Sequence, residues 1–183
     1  MPTPIGHSLL GMIIFHGVQP RFRRGWVLVF IFAANFPDLD FLPGLLIGRP
    51  NAFHHGPSHS LAAAILVGLV FGLIFRYFQK GNFWYYFLVF SGVGFSHLVL
   101  DYFTIDTAPP FGAPILWPIS DQYFISPVPV FSDVYRGDTS NTFLSGLLIA
   151  HNGWTIVREI VILAPVAALG MLLRKKLEPK FKR

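Results

Sequence analysis

A succession of apolar runs, divided by short polar breaks, organises the chain. The first, Ile5–Val18, carries His7 near its start and His16 near its end. At about 14 residues it is short for a full membrane span, which takes about 20. The second opens at Trp26 as WVLVFIFAANF, meets Pro37-Asp38-Leu39-Asp40 and resumes as FLPGLLIG. Prolines at 37 and 43 with two carboxylates predict a broken or kinked helix. Hydrocarbon tolerates such a break only around a protein-enclosed or wet cavity. The third run is Leu61–Tyr77. The fourth, Phe83–Leu100, begins Phe83-Trp84-Tyr85-Tyr86, a start suited to an interfacial aromatic belt. Residues 101–141 carry six prolines, at 109, 110, 114, 118, 127 and 129, and read as a long loop. A short apolar piece, Phe143–Ala150, precedes the last run, Trp154–Leu173, which holds Arg158 and Glu159 and stops at a basic tail. The pattern predicts an all-α, polytopic helical membrane protein of about four to five membrane segments. One segment is broken at Pro37-Asp38. Residues 1–183 are expected to form a single helical membrane domain with a long non-cytoplasmic loop at about 101–141.

Composition supports this reading. Of 183 residues, 53% are apolar and only 13% charged, with 20 phenylalanines; a typical soluble domain carries about 25% charged residues. A soluble chain of this length lacks the interior volume to hide so much apolar surface. The net charge is +5, but the basic residues sit in short clusters between or after the apolar runs. Arg21-Phe22-Arg23-Arg24, Arg76 with Lys80, and the tail from Arg174 onward all fall on one side if 20–24 faces the cytoplasm. These are topology signals rather than a stripe for direct nucleic-acid binding. They predict a multi-pass protein of the plasma (inner) membrane, with loops 48–60 and 101–141 outside. The N-terminal stretch has no basic residue ahead of its apolar run and does not read as a cleaved signal peptide. The chain has no cysteine. That excludes thiolate metal sites and cysteine nucleophiles, but not zinc held by imidazole and carboxylate.

The same topology sets His7, Asp38, Asp40, His54, His55, His59, His97 and Asp101 at similar depth near the non-cytoplasmic face, from four separate segments. His97 and Asp101 are four apart on a helix and share a face. His55 and His59 do so too if the third helix begins a turn before its apolar run. Asp38 and Asp40 lie on a turn between prolines. Carboxylates at lipid depth are costly and mark function. The mixed donor set suits a divalent cation, zinc first, with manganese or iron accepted. Its size exceeds one tetrahedral site, which favours two ions or one ion with a separate acid–base pair. Asp40 and His55 are the candidates for activating water. His16 and His151 read as interfacial polar groups, and Asp106, Asp121, Asp133 and Asp138 as turn caps. Ser58 and Asn51 are candidate capping or supporting groups. Ser60 and Ser96 flank histidines, but neither lies in a Gly-x-Ser-x-Gly elbow. No Gly-rich phosphate loop is present.

Four blocks carry a resemblance: Gly6-His7 with Gly11; Phe36-Pro37-Asp38-Leu39-Asp40; His54-His55-Gly56-Pro57-Ser58-His59-Ser60; and Ser96-His97-Leu98-Val99-Leu100-Asp101. In order and spacing they resemble the YdjM/YbcI-like family of inner-membrane proteins, described as metal-dependent hydrolases and as LexA-binding. The resemblance covers residues 3–120 and extends to Trp117-Pro118. The family's third block often reads His-His-Arg-Gly-x-Thr-His-Ser. This chain lacks that Arg, has Ser58 in place of Thr, and is one residue shorter before Gly56. The resemblance implies that His7, Asp38, Asp40, His54, His55, His59, His97 and Asp101 are the metal and catalytic positions. It also implies a remote likeness to zinc-dependent phospholipases C, and a repressor-protein partner at the cytoplasmic face.

These observations lead to an expected membrane-bound, metal-dependent hydrolase acting on an amphiphilic substrate, a lipid or lipid-linked phosphoester. The alternatives are a non-enzymatic metal-binding or transport protein and a membrane scaffold whose polar residues hold broken helices together.

Overall fold

The computed structural model describes residues 1–18, 24–107 and 109–181, the side chains of 24 and 173–181 excepted. The basic cluster at 21–24 and the side chains of the basic tail therefore lie outside the described residues. Among the described residues, seven α-helices follow one another: α1 Pro4–Val18, α2 Val27–Asn35, α3 Phe41–Leu46, α4 Leu61–Gln79, α5 Phe83–Tyr102, α6 Ser140–Leu147 and α7 Ala150–Phe181. Helices α4, α5 and the stretch Ala150–Leu172 of α7 are each long and apolar enough to cross a membrane. Val27–Asn35 and Pro37–Leu46 together make a fourth such segment, bent by 51° at the break. The protein is thus a polytopic helical bundle of about four segments, with the shorter α1 among them.

The bend has a local cause. Pro37 cannot donate to the preceding turn, and Pro37–Asp40 tightens into a 3-10 turn before α3 resumes. Helices α4 and α5 form an antiparallel pair through small residues. A Cβ on Gly68 would overlap Ser91 Oγ, and one on Gly94 would lie 3.0 Å from Ala64 Cα. Close backbone approach of this kind is how helices gain van der Waals contact where lipid offers no hydrophobic drive. Helix α1 packs on α2, α5 and α7, and α5 also packs on α2.

Between these helices lies an aromatic core. Phe15, Phe30, Phe75 and Phe90 are almost wholly buried, with Phe71, Val67 and Val93 around them. Phe90 meets Phe30 and Phe75 at 4.8 Å and Phe71 at 5.3 Å between ring centroids. Each such pair contributes about 0.5–1.5 kcal/mol beyond area burial.

The long segment between α5 and α6 is tied down rather than loose. Ser126 N–H donates to Tyr102 O at 2.8 Å, and Leu61 N–H, at the start of α4, donates to Ile115 O at 2.9 Å. Asn152 of α7 accepts from Tyr135 N–H and donates to Tyr135 O, both at 2.8 Å. These bonds hold the segment across the end of the bundle where α4 begins and α5 ends.

Helix α4 does not begin a turn early. His55 adopts a left-handed backbone (φ 56), which no helix accommodates, and Pro57–His59 forms a separate 3-10 turn before Ser60 caps α4. His55 and His59 therefore do not share a helix face. A tight turn brings them together instead.

Candidate metal centre

Each donor reaches the site by a local device. His7 lies in the second turn of α1, and Asp38 in the proline-initiated 3-10 turn at the bend. His59 ends the turn ahead of α4. His97 and Asp101 share a face in the last turns of α5, their Nε2 and Oδ2 3.1 Å apart. His59 Nε2 stands 3.4 Å from Asp38 Oδ1 and 3.6 Å from Asp101 Oδ2. His97 Nε2 is 3.6 Å from Asp38 Oδ1, and His7 Nε2 is 3.6 Å from Asp101 Oδ1. The His7 and His97 rings stack at 3.8 Å.

The side chains of His7, His59 and His97 are wholly buried and that of Asp101 nearly so. Yet Nε2 of all three histidines and both carboxylate oxygens of Asp38 and of Asp101 lack a hydrogen-bond partner. Unsatisfied polar atoms in an interior are expensive, and a divalent cation among these would satisfy several at once. The spacing fits one. Two ligand atoms each about 2.0–2.1 Å from zinc at a tetrahedral angle stand about 3.3–3.4 Å apart, close to the separations observed. His7, Asp38 and His97 form one group of ligand atoms within 4.8 Å of one another, and His59, His97 and Asp101 form a second.

Supporting contacts fix the rings. His97 Nδ1 lies 2.8 Å from Ala34 O. Donation to that carbonyl leaves Nε2 with its lone pair toward the cluster. His59 Nδ1 faces Asp40 Oδ2 at 3.2 Å. Asp40 Oδ2 also accepts from Ser58 Oγ at 2.8 Å, and its Oδ1 lies 3.2 Å from His54 Nδ1. Asp40 is therefore engaged on both oxygens and borders the ligand group instead of joining it.

His54, His55 and His59 form an adjoining group, again with ligand atoms within 4.8 Å of one another. His55 Nδ1 is 3.4 Å from Asp106 Oδ2, while its buried Nε2 has no hydrogen-bond partner. Burial, then the neighbouring imidazoles, lowers the pKa of His54 well below the usual histidine value. Burial lowers that of His55 as well, against the opposing pull of Asp106. At neutral pH both rings are uncharged, the form that ligates a metal or accepts a proton.

The structure thus brings His7, Asp38, His59, His97 and Asp101 to one point, sets His54 and His55 beside them, and places Asp40 behind His59 and His54. His16 lines an apolar groove between α1 and α7, and His151 pairs with Asp133 at 3.0 Å on the surface. Ser60 Oγ donates to Pro57 O at 2.7 Å and Ser96 Oγ to Val93 O at 2.7 Å. With those protons engaged by nearby backbone carbonyls, neither serine is set up as a nucleophile.

Three contributors escaped sequence reasoning. Asp106 does cap Gly112 N–H at 2.8 Å, but it also faces His55. Arg136 places Nη1 3.3 Å from His54 Nε2. Glu159, wholly buried in α7, accepts from the backbone N–H and hydroxyl of Thr3 at the start of α1. A carboxylate inside the last apolar run was the available signal for Glu159. Arg136, in a loop without periodicity, offered none.

Fold and geometry define a class: a multi-pass helical membrane protein with a buried histidine–carboxylate cluster of metal-ligand spacing. Within that class the chain belongs to the YdjM inner membrane protein family, whose sequence profile matches residues 1–177. The match runs well past the four blocks at 3–120. Neither a curated protein nor a solved structure matches the chain.

Proposed function

We propose that this protein is a membrane-bound, metal-dependent hydrolase of amphiphilic phosphoesters, with its site toward the non-cytoplasmic side. The observation that carries the reading is the convergence of buried, unpartnered imidazole nitrogens and carboxylate oxygens at metal-ligand spacing. His7, Asp38, His59, His97 and Asp101 would hold a divalent cation, zinc being favoured by the ligand types and spacing. His54 and His55 stand beside that group as its acid–base neighbours. Such an ion supplies charge to polarise a phosphoryl oxygen and acidifies water toward neutrality.

The chain's own groups complete the chemistry. His55 presents a free Nε2 with Asp106 behind Nδ1, the arrangement of an oriented general base. In hydrolysis, water's oxygen joins phosphorus and one of its protons passes to His55 Nε2. The P–O ester bond breaks, and the leaving alkoxide takes up that proton from His55, which returns to its neutral form. Asp40 acts as a positioning residue, holding His54 and His59.

Access supports an amphiphile. A cavity of about 190 Å³, walled by His54, His55, Asp106 and Arg136, opens on the loop side. A separate apolar groove of about 480 Å³ runs along Phe36, Pro37, Pro57, Ser58, Leu66 and Trp117. Pro37 adjoins Asp38 in the chain, and Ser58 adjoins His59. A head group and an acyl chain thus each have a recess beside the cluster. Ion transport is disfavoured by the layer next to the cluster. His97 bonds to Ala34, which packs in an aromatic core with Phe30, Phe90 and Val93.

The test is metal content of the detergent-purified protein and release of phosphate products from lipid phosphoesters, with His59→Ala and Asp38→Ala beside the wild type. Stoichiometric metal and turnover, both lost in the variants, are expected. A protein that is metal-free and cannot be loaded with zinc, manganese or iron refutes the reading.

A further inference from the structure

The loop-side cavity contains a cation that the metal cluster does not explain. Arg136 stands over the Phe41 ring, 5.0 Å from its centroid. One guanidinium nitrogen approaches His54 Nε2 at 3.3 Å. Among the described residues it has no carboxylate partner. The acids on the same wall are engaged elsewhere. Asp106 Oδ2 accepts from Gly112 N–H at 2.8 Å and faces His55 Nδ1 at 3.4 Å. Asp133 accepts from Thr107 Oγ1 at 3.0 Å and pairs with His151 at 3.0 Å, and Asp138 accepts from Asn51 at 3.4 Å.

A half-buried guanidinium whose acidic neighbours stand beyond ion-pair distance keeps donors to spare for an anion. Its planar fork matches two oxygens of a phosphate. His54 Nδ1, on the far side of the ring that Arg136 touches, lies 3.2 Å from Asp40. The cation is therefore one side chain removed from the group that holds His59. We propose that the cavity walled by Arg136, His54 and His55 is a phosphate subsite, in which Arg136 grips two non-bridging oxygens of a phosphoryl group presented to His55. The subsite makes Arg136 a specificity-determining residue. It selects phosphoesters over carboxylic esters of the same lipid, because a neutral ester leaves the guanidinium uncompensated. It rests on the phosphoester reading of the neighbouring site.

The experiment measures binding of inorganic phosphate and of dihexanoyl phosphatidic acid to the full chain in detergent by titration calorimetry. Wild type, Arg136→Gln and Arg136→Lys are compared, with metal content determined on the same samples. The expected result is binding of both probes to the wild type and about tenfold or greater weakening in Arg136→Gln, with metal content unchanged. Partial recovery in Arg136→Lys is expected, since it restores charge without the fork. Tighter binding of the lipid than of free phosphate assigns the subsite to a lipid head group, and equal binding assigns it to phosphate as such. Wild-type binding by Arg136→Gln overturns the proposal. So does loss of metal in both variants, which makes Arg136 a prop for His54. Phosphate binding through Arg136 without phosphoester hydrolysis sinks the hydrolase reading and leaves the subsite. Hydrolysis undiminished in Arg136→Gln does the reverse.

Discussion

Glu159 sits in α7 but serves α1, and its removal tests how the site is held. Thr3 N–H donates to Glu159 Oε1 and Thr3 Oγ1 to Oε2, both at 2.5 Å. Thr3 Oγ1 in turn accepts from Ile5 and Gly6 N–H at 3.2 and 3.3 Å. The carboxylate therefore lies at the positive end of the α1 dipole. Gly6 lets it approach, since a Cβ there would lie 2.9 Å from Glu159 Cδ. His7 follows directly, its N–H on Thr3 O at 3.3 Å. Glu159→Ala removes two hydrogen bonds to a carboxylate, each about 1.5–3 kcal/mol. That puts about 3–6 kcal/mol at the first turn of α1 as an upper bound. Less reaches the site, because the rest of α1 stays packed on α2 and α5. Loss of a group that orients a ligand costs about 10–100-fold in metal affinity, or about 1.4–2.8 kcal/mol. The assay is chelator competition on wild type, Glu159→Ala, His7→Ala and the double variant. Glu159→Ala is expected to lose 10–100-fold and His7→Ala at least as much. The double variant should be no weaker than His7→Ala, because both changes act through one ligand. Additive losses, or wild-type affinity in Glu159→Ala, would refute the reasoning.

Two further outcomes follow from charge and topology. Burial depresses the pKa of His59, but Asp38, Asp40 and Asp101 outweigh it and raise the value from 6.5 to about 10 in the ion-free protein. The stabilisation this gives the ion-free fold is complete below pH 6.5 and disappears as pH rises through about 10. Ligation removes that proton, so metal uptake at pH 8 should release about one proton from His59 and tighten with rising pH; an indicator-dye titration showing no release at pH 8 would contradict this. The chain has no cysteine, so Asn51→Cys and Lys80→Cys, both at exposed positions, report sidedness cleanly. A membrane-impermeant maleimide should label Asn51→Cys in intact cells and Lys80→Cys only after permeabilisation, and the opposite pattern would invert the topology.

Much of the molecule is already legible in the chain. Apolar runs of span length dictate helices, because a backbone in hydrocarbon must satisfy its own polar groups. Pro37 with two carboxylates dictates a break, because proline removes a helical hydrogen bond. His97 and Asp101 must share a face at helical spacing, and carboxylates at lipid depth must meet something that compensates them. What the chain leaves open is which groups touch. The left-handed turn at His55 has no residue signature, so His55 and His59 meet by a turn where helical periodicity suggested a shared face. Asp40 and Asp38 are indistinguishable by residue type. Only the placement of Ser58, His54 and His59 engages both oxygens of Asp40 and leaves those of Asp38 facing the cluster. Arg136 and Glu159 join through contacts far apart in sequence, Glu159 reaching Thr3 across 156 positions. The sequence by itself determined the membrane fold and the identity of the ligand-type residues, because both follow from solvation of the backbone and of charge. Only the tertiary structure decided which of these residues meet, because contacts between segments far apart in the chain depend on distances of a few tenths of an ångström that helix packing sets.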